Sequence, residues 1–284
     1  MNIKITSDST CDLSPDLLVK YDVTLVPLTI TKGGGRYADG VDIRPADIFQ
    51  HVAAGGDLCA TSAVNVWEYQ EVFQKYAREA DAVVHVTLGS GFSSCYQNAC
   101  QAAEGFANVF VVDSQNLSSG HGHIVVQAGE MRAACGDLQG VKAMCGQLRA
   151  LTARVEASFI LDRLDYMRKG GRCSSLAALG ANMFQLKPCI QVVGGKMTVG
   201  KKYRGAYAAC IASYIRDRLA GLEDVDPKLL FITHTPVADD ALAAARAAVN
   251  EYGGAFAEVV ETEAGCTVSC HCGPGTLGVL FICL

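Results

Sequence analysis

AVVHVTLGSGFSSCYQNA, residues 82–99, reads as a buried strand that stops at a glycine-punctuated loop and restarts as a helix. Ala82 to Leu88 is a continuous apolar run with β-branched residues, the signature of a strand covered on both faces. Gly89 and Gly91 break it, and Ser93 or Ser94 supplies the hydroxyl that opens a helix running to about Gly105. A strand followed by a helix N-terminus is the unit of an open α/β sheet. Ligands there bind beyond the carboxyl ends of the strands, where free N–H groups favour an anion.

Working outward, the first 155 residues repeat this rhythm. Ile3 to Thr6 is a short strand, and Ser14-Pro15-Asp16 starts a helix with a capping hydroxyl and proline at the first helical position. Val23 to Ile30 is a second strand, with Pro27 placing it at an edge or bulge. Gly33-Gly34-Gly35 turns a hairpin into Arg36 to Ala38, and Arg44-Pro45 opens another helix. Val66 to Arg78 is an amphipathic helix, Val109 to Asp113 a buried strand, and helices follow from about Ser119 to Cys135 and from Leu138 to Thr152. Such alternation predicts a parallel sheet covered by helices.

The second half differs. Pro188 to Val193 and Lys196 to Val199 flank Gly194-Gly195 as a hairpin. Helices at Ala206 to Leu219 and Asp239 to Asn250 alternate with strands at Leu229 to Thr233, Phe256 to Glu261 and Leu277 to Leu284. The fold class is therefore α/β with two domains, a parallel-sheet α/β domain over 1–155 and an α+β domain over 156–284, with a ligand cleft between them.

Composition narrows the function. Half of the 284 residues are hydrophobic, 19% are charged, and the net charge is −5. That balance, without a basic stripe, argues against nucleic acid. No apolar run reaches the length of a membrane span, and the N-terminus lacks a secretory pattern. A cytoplasmic protein with no stable membrane insertion is expected. Thirteen cysteines without an export signal read as reduced core residues rather than a disulfide scaffold.

Four polar, glycine-punctuated segments converge on one prospective site. Thr61-Ser62 reads either as a helix cap or as two hydroxyls facing an anion. Ser93 and Ser94 read as a cap or as anion ligands. Arg172, in KGGRCSS, reads as a solvated turn residue or as a planar clamp for phosphate or carboxylate. His271, before Gly273-Pro274-Gly275, reads as a core histidine, a metal ligand or a site base. Cys266, Cys270, His271 and Cys272 lie too close together for a zinc site, and strand-like alternation would put His271 opposite Cys270 and Cys272, so no metal is expected. A serine hydrolase using Ser93 and His271 is one alternative, although Cys95 breaks the G-x-S-x-G pattern. A thiol-metal or redox role for the C-terminal cysteines is another. No P-loop is present.

In order along the chain, SDSTCDL, TSA (61–63), SGFSSCYQNA (90–99), VVDSQNLSSGHG (111–122), LDYMRKGGRCS, LKPCIQVVGGKM (186–197), KKYRG (201–205) and HCGPGTLG (271–278) resemble the bacterial DegV family. These are the fatty-acid-binding proteins of the fatty acid kinase system. The resemblance implies a long-chain fatty acid buried between two domains and no other cofactor. Its carboxylate would be held by Thr61 and Ser93, with Ser62, Ser94 and His271 nearby. Arg172 and His271 would serve phosphoryl transfer or kinase docking. The partner implied is a separate ATP-dependent kinase that makes the acyl phosphate, so this chain would be a presenting subunit rather than an enzyme. The family's usual TSQPS and LSGTYQ stand here as TSAVN and FSSCYQ, changes at the head-group end. At about 0.8 kcal/mol per buried CH₂, a chain of about fourteen methylenes gives on the order of 11 kcal/mol before immobilisation costs. Apolar burial would dominate affinity while hydroxyls orient the head. Phe159, Ile160, Met183, Phe184 and Leu186 are the expected tunnel residues.

Overall fold

The computed structural model describes residues 1–177, 186–221, 224–252 and 254–284. Its strands are β1 (Ile3–Asp8), β2 (Val23–Val26), β3 (Thr29–Lys32), β4 (Gly35–Ala38), β5 (Ala60–Ser62), β6 (Ala82–Thr87), β7 (Val109–Asp113), β8 (Val155–Leu161), β9 (Leu186–Val193), β10 (Lys196–Arg204), β11 (Leu229–His234), β12 (Glu258–Glu263) and β13 (Thr276–Ile282). They form three sheets. A four-stranded parallel sheet has the order β2-β1-β6-β7. A six-stranded sheet, antiparallel except for β11 with β12, runs β10-β9-β8-β13-β11-β12. A small antiparallel sheet has the order β4-β3-β5.

The mixed α/β class is thus as expected, with the parallel sheet in the N-terminal half and hairpins in the other. Every residue of β6 is buried, because both faces of a central parallel strand are covered. Division at 155/156 remains our proposal for the domain boundary. It is motivated by β8, which begins at Val155 and opens the six-stranded sheet.

One helix joins the two large sheets. Ser118–Met131 has eleven buried residues and packs on β1, β6, β8, β11 and β13. Glycines make that fit possible. A Cβ at Gly122 would lie 2.6 Å from the Cys11 carbonyl, and one at Gly120 would strike the Asn116 side chain. The helix is therefore buried nearly all round, as a layer between two sheets requires.

Three local expectations are corrected. Val23 to Ile30 is not one strand: the chain breaks at Pro27-Leu28, and β3 leaves the parallel sheet to pair with β4 and β5. Proline has no N–H to continue a ladder. Thr61-Ser62 does not cap a helix but lies in β5; the following helix is capped by Asn65, whose side chain accepts from Glu68 N at 3.0 Å while Glu68 accepts from Asn65 N at 2.8 Å. The C-terminal cysteine-histidine run is not extended. It is the helix Cys266–Cys272, so period-two alternation does not apply to His271.

Candidate functional site

A cavity opens where the sheets meet. Its apolar wall includes Leu28, Leu88, Phe92, Leu117, Met197 and Val268, and its polar wall is Thr10, Thr61, Ser93, Arg172, Thr267 and His271.

Thr61 and His271 touch directly: Thr61 Oγ1 lies 2.8 Å from His271 Nε2. β5 carries Thr61 to this point by pairing with β3, with Ile30 opposite Thr61. The helix Cys266–Cys272 brings His271, and its placement depends on two distant carboxylates. Asp39 accepts from Cys266 N at 3.0 Å, from Thr267 N at 3.2 Å and from Thr267 Oγ1 at 2.7 Å. Asp12 accepts from Gly265 N at 2.9 Å and from Ser118 Oγ at 2.6 Å. These carboxylates satisfy N–H groups that a helix start leaves without partners. Burial pushes Asp12 up to about 7, with Asp39 and Glu263 adding like-charge repulsion against its hydrogen bonds.

Burial, reinforced by the positive charge of Arg172, pushes His271 down to about 4. The ring is neutral at pH 7. Its Nδ1 is buried with no hydrogen-bond partner among the described residues. A Cβ at Gly170 would sit 2.5 Å from that nitrogen, so the first glycine of the Gly170-Gly171 pair before Arg172 makes room for the imidazole. Arg172 itself is exposed, and its Nη1 donates to Gly170 O at 2.7 Å.

Ser93 sits on the loop after β6. Its Oγ accepts from Cys95 N at 3.3 Å and donates to Cys95 Sγ at 3.2 Å. The loop is anchored from both sides. Leu88 N donates to Asp8 Oδ2 at 2.7 Å, and Ser90 donates to Asp113 through its N–H at 3.0 Å and its hydroxyl at 2.6 Å. Burial pushes Asp8 up, but its hydrogen bonds with His85 and Tyr69 outweigh it and hold the carboxyl below its usual range.

Thr61, Ser93, Arg172 and His271, from four distant parts of the sequence, thus share one cavity wall. Ser62 and Ser94 do not line it. Both are exposed, and the Ser94 hydroxyl accepts from Asn98 Nδ2 at 3.5 Å. Of the expected tunnel residues, Phe159 lines a second cavity behind the first. Ile160 faces the opposite side of the six-stranded sheet, in the cluster with Tyr214. Leu186 lines neither cavity, and Met183 and Phe184 lie outside the described residues.

The hydrolase alternative does not fit this geometry. His271 Nε2 pairs with Thr61 rather than Ser93, and no carboxylate orients Nδ1 among the described residues; an activated serine needs both contacts. The C-terminal cysteines are dispersed too. Cys266 and Cys270 pack with Cys59 in one cluster, whereas Cys272 belongs to another. Burial pushes the Cys266 and Cys272 thiols up to about 12. Among the described residues no group of His, Cys, Asp and Glu is arranged to hold a metal.

Sequence reasoning missed Asp8, Asp12, Asp39, Thr10 and Thr267. SDSTCD did carry a signal, since five of its six side chains are acidic or hydroxyl and follow directly on a strand. Asp39 gave none; besides Ser9, its side-chain partners Cys266 and Thr267 are more than two hundred residues away.

Comparison with known proteins places the chain. A family model described as "Uncharacterised protein, DegV family" matches residues 2–283. The chain belongs to the DegV family. A DegV domain-containing protein from Clostridium acetobutylicum is 30% identical over 284 residues, covering 99% of this chain and 98% of that one. Among solved structures, a fatty-acid-binding DegV family protein from Thermus thermophilus superposes with a TM-score of 0.89 at 29% identity, covering 100% of both chains. A stearic-acid-binding protein from Eubacterium ventriosum gives a TM-score of 0.81 at 25% identity, covering 99% of this chain and 98% of that one. No helix among the described residues of this DegV member is long and apolar enough to cross a membrane.

Proposed function

We propose that this chain binds a long-chain fatty acid in the cavity, with the carboxylate at Thr61, Ser93 and His271, and presents it to a separate ATP-dependent fatty acid kinase. The observation that carries the reading is the Thr61–His271 pair at 2.8 Å at the polar end of an otherwise apolar cavity. Neutral donors there suit an anion that must still react: they orient it without the full charge pairing that would suppress its nucleophilicity. A carboxylate oxygen then attacks the γ-phosphorus of ATP on the kinase, releasing ADP and leaving an acyl phosphate on this protein. Arg172, exposed at the wall, is placed to meet the incoming phosphoryl group or the kinase surface. Ser62 and Ser94 stay outside the contact set. The likeness to fatty-acid-binding members of the family supports this reading, and a cytoplasmic location is part of it.

Lipid extraction and mass spectrometry of the purified protein test it. Near-stoichiometric fatty acid is expected, and protein recovered without acyl chains after expression in a lipid-replete host refutes the binding step. The presentation step is tested separately. Arg172→Ala is expected to retain the acid while losing acyl phosphate formation when kinase and ATP are added.

A further inference from the structure

Beneath the loop of Ser93 runs a buried polar chain that starts at Asp8, the last residue of β1. Asp8 Oδ1 accepts from the Tyr69 hydroxyl at 2.6 Å, and His85 Nε2 lies 3.3 Å from the same oxygen. Tyr69 belongs to the helix Val66–Glu79; its ring stacks on Phe73 and meets His85 edge-on, which fixes its direction. The Tyr69 hydroxyl also interacts with the Cys95 thiol. Cys95 Sγ in turn accepts from Ser93 Oγ at 3.2 Å, and Ser93 lines the cavity. Asp8, Tyr69 and Cys95 have no exposed surface.

The protons of this chain all point one way. An ionised carboxylate only accepts, so Tyr69 gives Asp8 its phenolic proton. Burial pushes the Tyr69 hydroxyl up, and the Cys95 thiol up to about 12, so both keep their protons at neutral pH. With its own proton committed to Asp8, Tyr69 offers Cys95 only lone pairs. The thiol proton goes there, and the sulfur is left to accept from Ser93. Ser93 therefore leaves a lone pair, not a proton, for the cavity. The last link of the chain is the weak one, because sulfur is a poorer acceptor than oxygen. A carboxylate forms a charge-assisted bond and takes the Ser93 proton from sulfur readily. An uncharged hydroxyl has less pull, and it donates to the Ser93 lone pair instead.

We propose that Cys95 is a positioning residue that sets head-group selectivity, holding the Ser93 proton until an anionic head takes it. The inference rests on the fatty-acid reading above. The ligand class favoured is the ionised acid over the alcohol of equal chain length.

Two substitutions should move that preference in opposite directions. Cys95→Ser puts a stronger acceptor next to Ser93 while still donating to Tyr69, so the acid should lose about threefold in retention relative to the alcohol. Tyr69→Phe removes the acceptor of the thiol proton. Cys95 then turns that proton to Ser93 Oγ, Ser93 directs its own into the cavity, and the acid should gain about threefold relative to the alcohol. The test offers full-length protein, stripped of lipid, an equimolar mixture of a saturated long-chain acid and the alcohol of the same length at neutral pH. Mass spectrometry weighs the retained species. If one variant does not fold, the other decides the question alone. A wild-type ratio in the folded variants, or a shift in the same direction in both, overturns the role of Cys95 while leaving fatty-acid binding intact. Wild-type protein that retains neither molecule overturns the binding reading instead.

Discussion

Asp39 and Thr267, 228 residues apart in sequence, meet through a carboxylate that accepts from the Thr267 hydroxyl at 2.7 Å and its backbone N–H at 3.2 Å. The contact ties the segment after β4 to the helix that carries His271. Both residues are buried, so removing the carboxylate leaves the N–H groups of Cys266 and Thr267 unpaired away from water. Asp39→Ala is expected to cost about 3 kcal/mol of unfolding free energy. Denaturant titration measures it, and a loss below experimental error would show that the helix finds other caps.

Substitution of the paired hydroxyl tests the head-group contacts. Thr61→Val keeps the shape of β5 and removes the polar atom that His271 faces. Fatty acid retention is expected to fall about tenfold, the value of one hydrogen bond to a charged group. Ser62→Ala and Ser94→Ala, whose hydroxyls do not line the cavity, should leave the dissociation constant unchanged. Equal losses in all three variants would place the carboxylate elsewhere.

Gly170→Ala offers a test of the same site from outside it. The added methyl would sit 2.5 Å from His271 Nδ1, so the ring must turn away from Thr61. Ligand retention should drop as it does in His271→Ala, with less effect on unfolding than Asp39→Ala. Unaltered retention would mean that the imidazole does not position the ligand.

Stability should fall as pH is lowered from 7 toward 4. Burial pushes His121, His123 and His271 each down to about 4, so between about 4 and 6.5 the unfolded chain binds protons that the folded one refuses. Asp12 works in the opposite direction. Its folded value is raised to about 7, so its contribution is full below about 3.8 and is lost as pH rises through 7. Three histidines outweigh one carboxyl, and the net slope is positive. Thermal melts at pH 5 and 7 should give the lower midpoint at pH 5, and His123→Gln should shrink the difference. A flat profile would contradict this balance.

Thiol accessibility provides a last check. Eleven of the thirteen cysteines are buried, and only Cys100 and Cys283 are half-exposed. A thiol reagent applied to native protein should label these two first, with the remainder reacting only on unfolding. Fast modification of Cys266 or Cys270 would mean that the helix Cys266–Cys272 opens readily.

Local patterns made much of the fold legible. Apolar continuity and two glycines defined β6 and the loop of Ser93. Ser14-Pro15 marked a helix start, and Gly33-Gly34 and Gly194-Gly195 adopt the positive φ angles that their hairpin turns demand. These features depend on neighbours a few residues away, which is why they can be read in one dimension. The departure of β3 from the parallel sheet could not be read, because the apolar run continues past Pro27 while its partners, β4 and β5, lie elsewhere. His271 was singled out and lines the cavity, but it was assigned the wrong backbone, since seven residues hold too few turns to show a helical period.

By itself, the sequence determined the alternation of strand and helix, the family, and the polar residue types that gather at the cavity. Tertiary structure decided which of those residues share a wall. Thr61, Ser93, Arg172 and His271 meet because β5 pairs with β3 and because Asp12 and Asp39 hold the start of the helix Cys266–Cys272. Adjacent serines separated for a similar reason: Thr61 turns inward and Ser62 outward along β5, and Ser93 lines the cavity while Ser94 faces solvent. Side-chain direction follows from backbone pairing and packing across the whole chain, and those contacts exist only once it has folded.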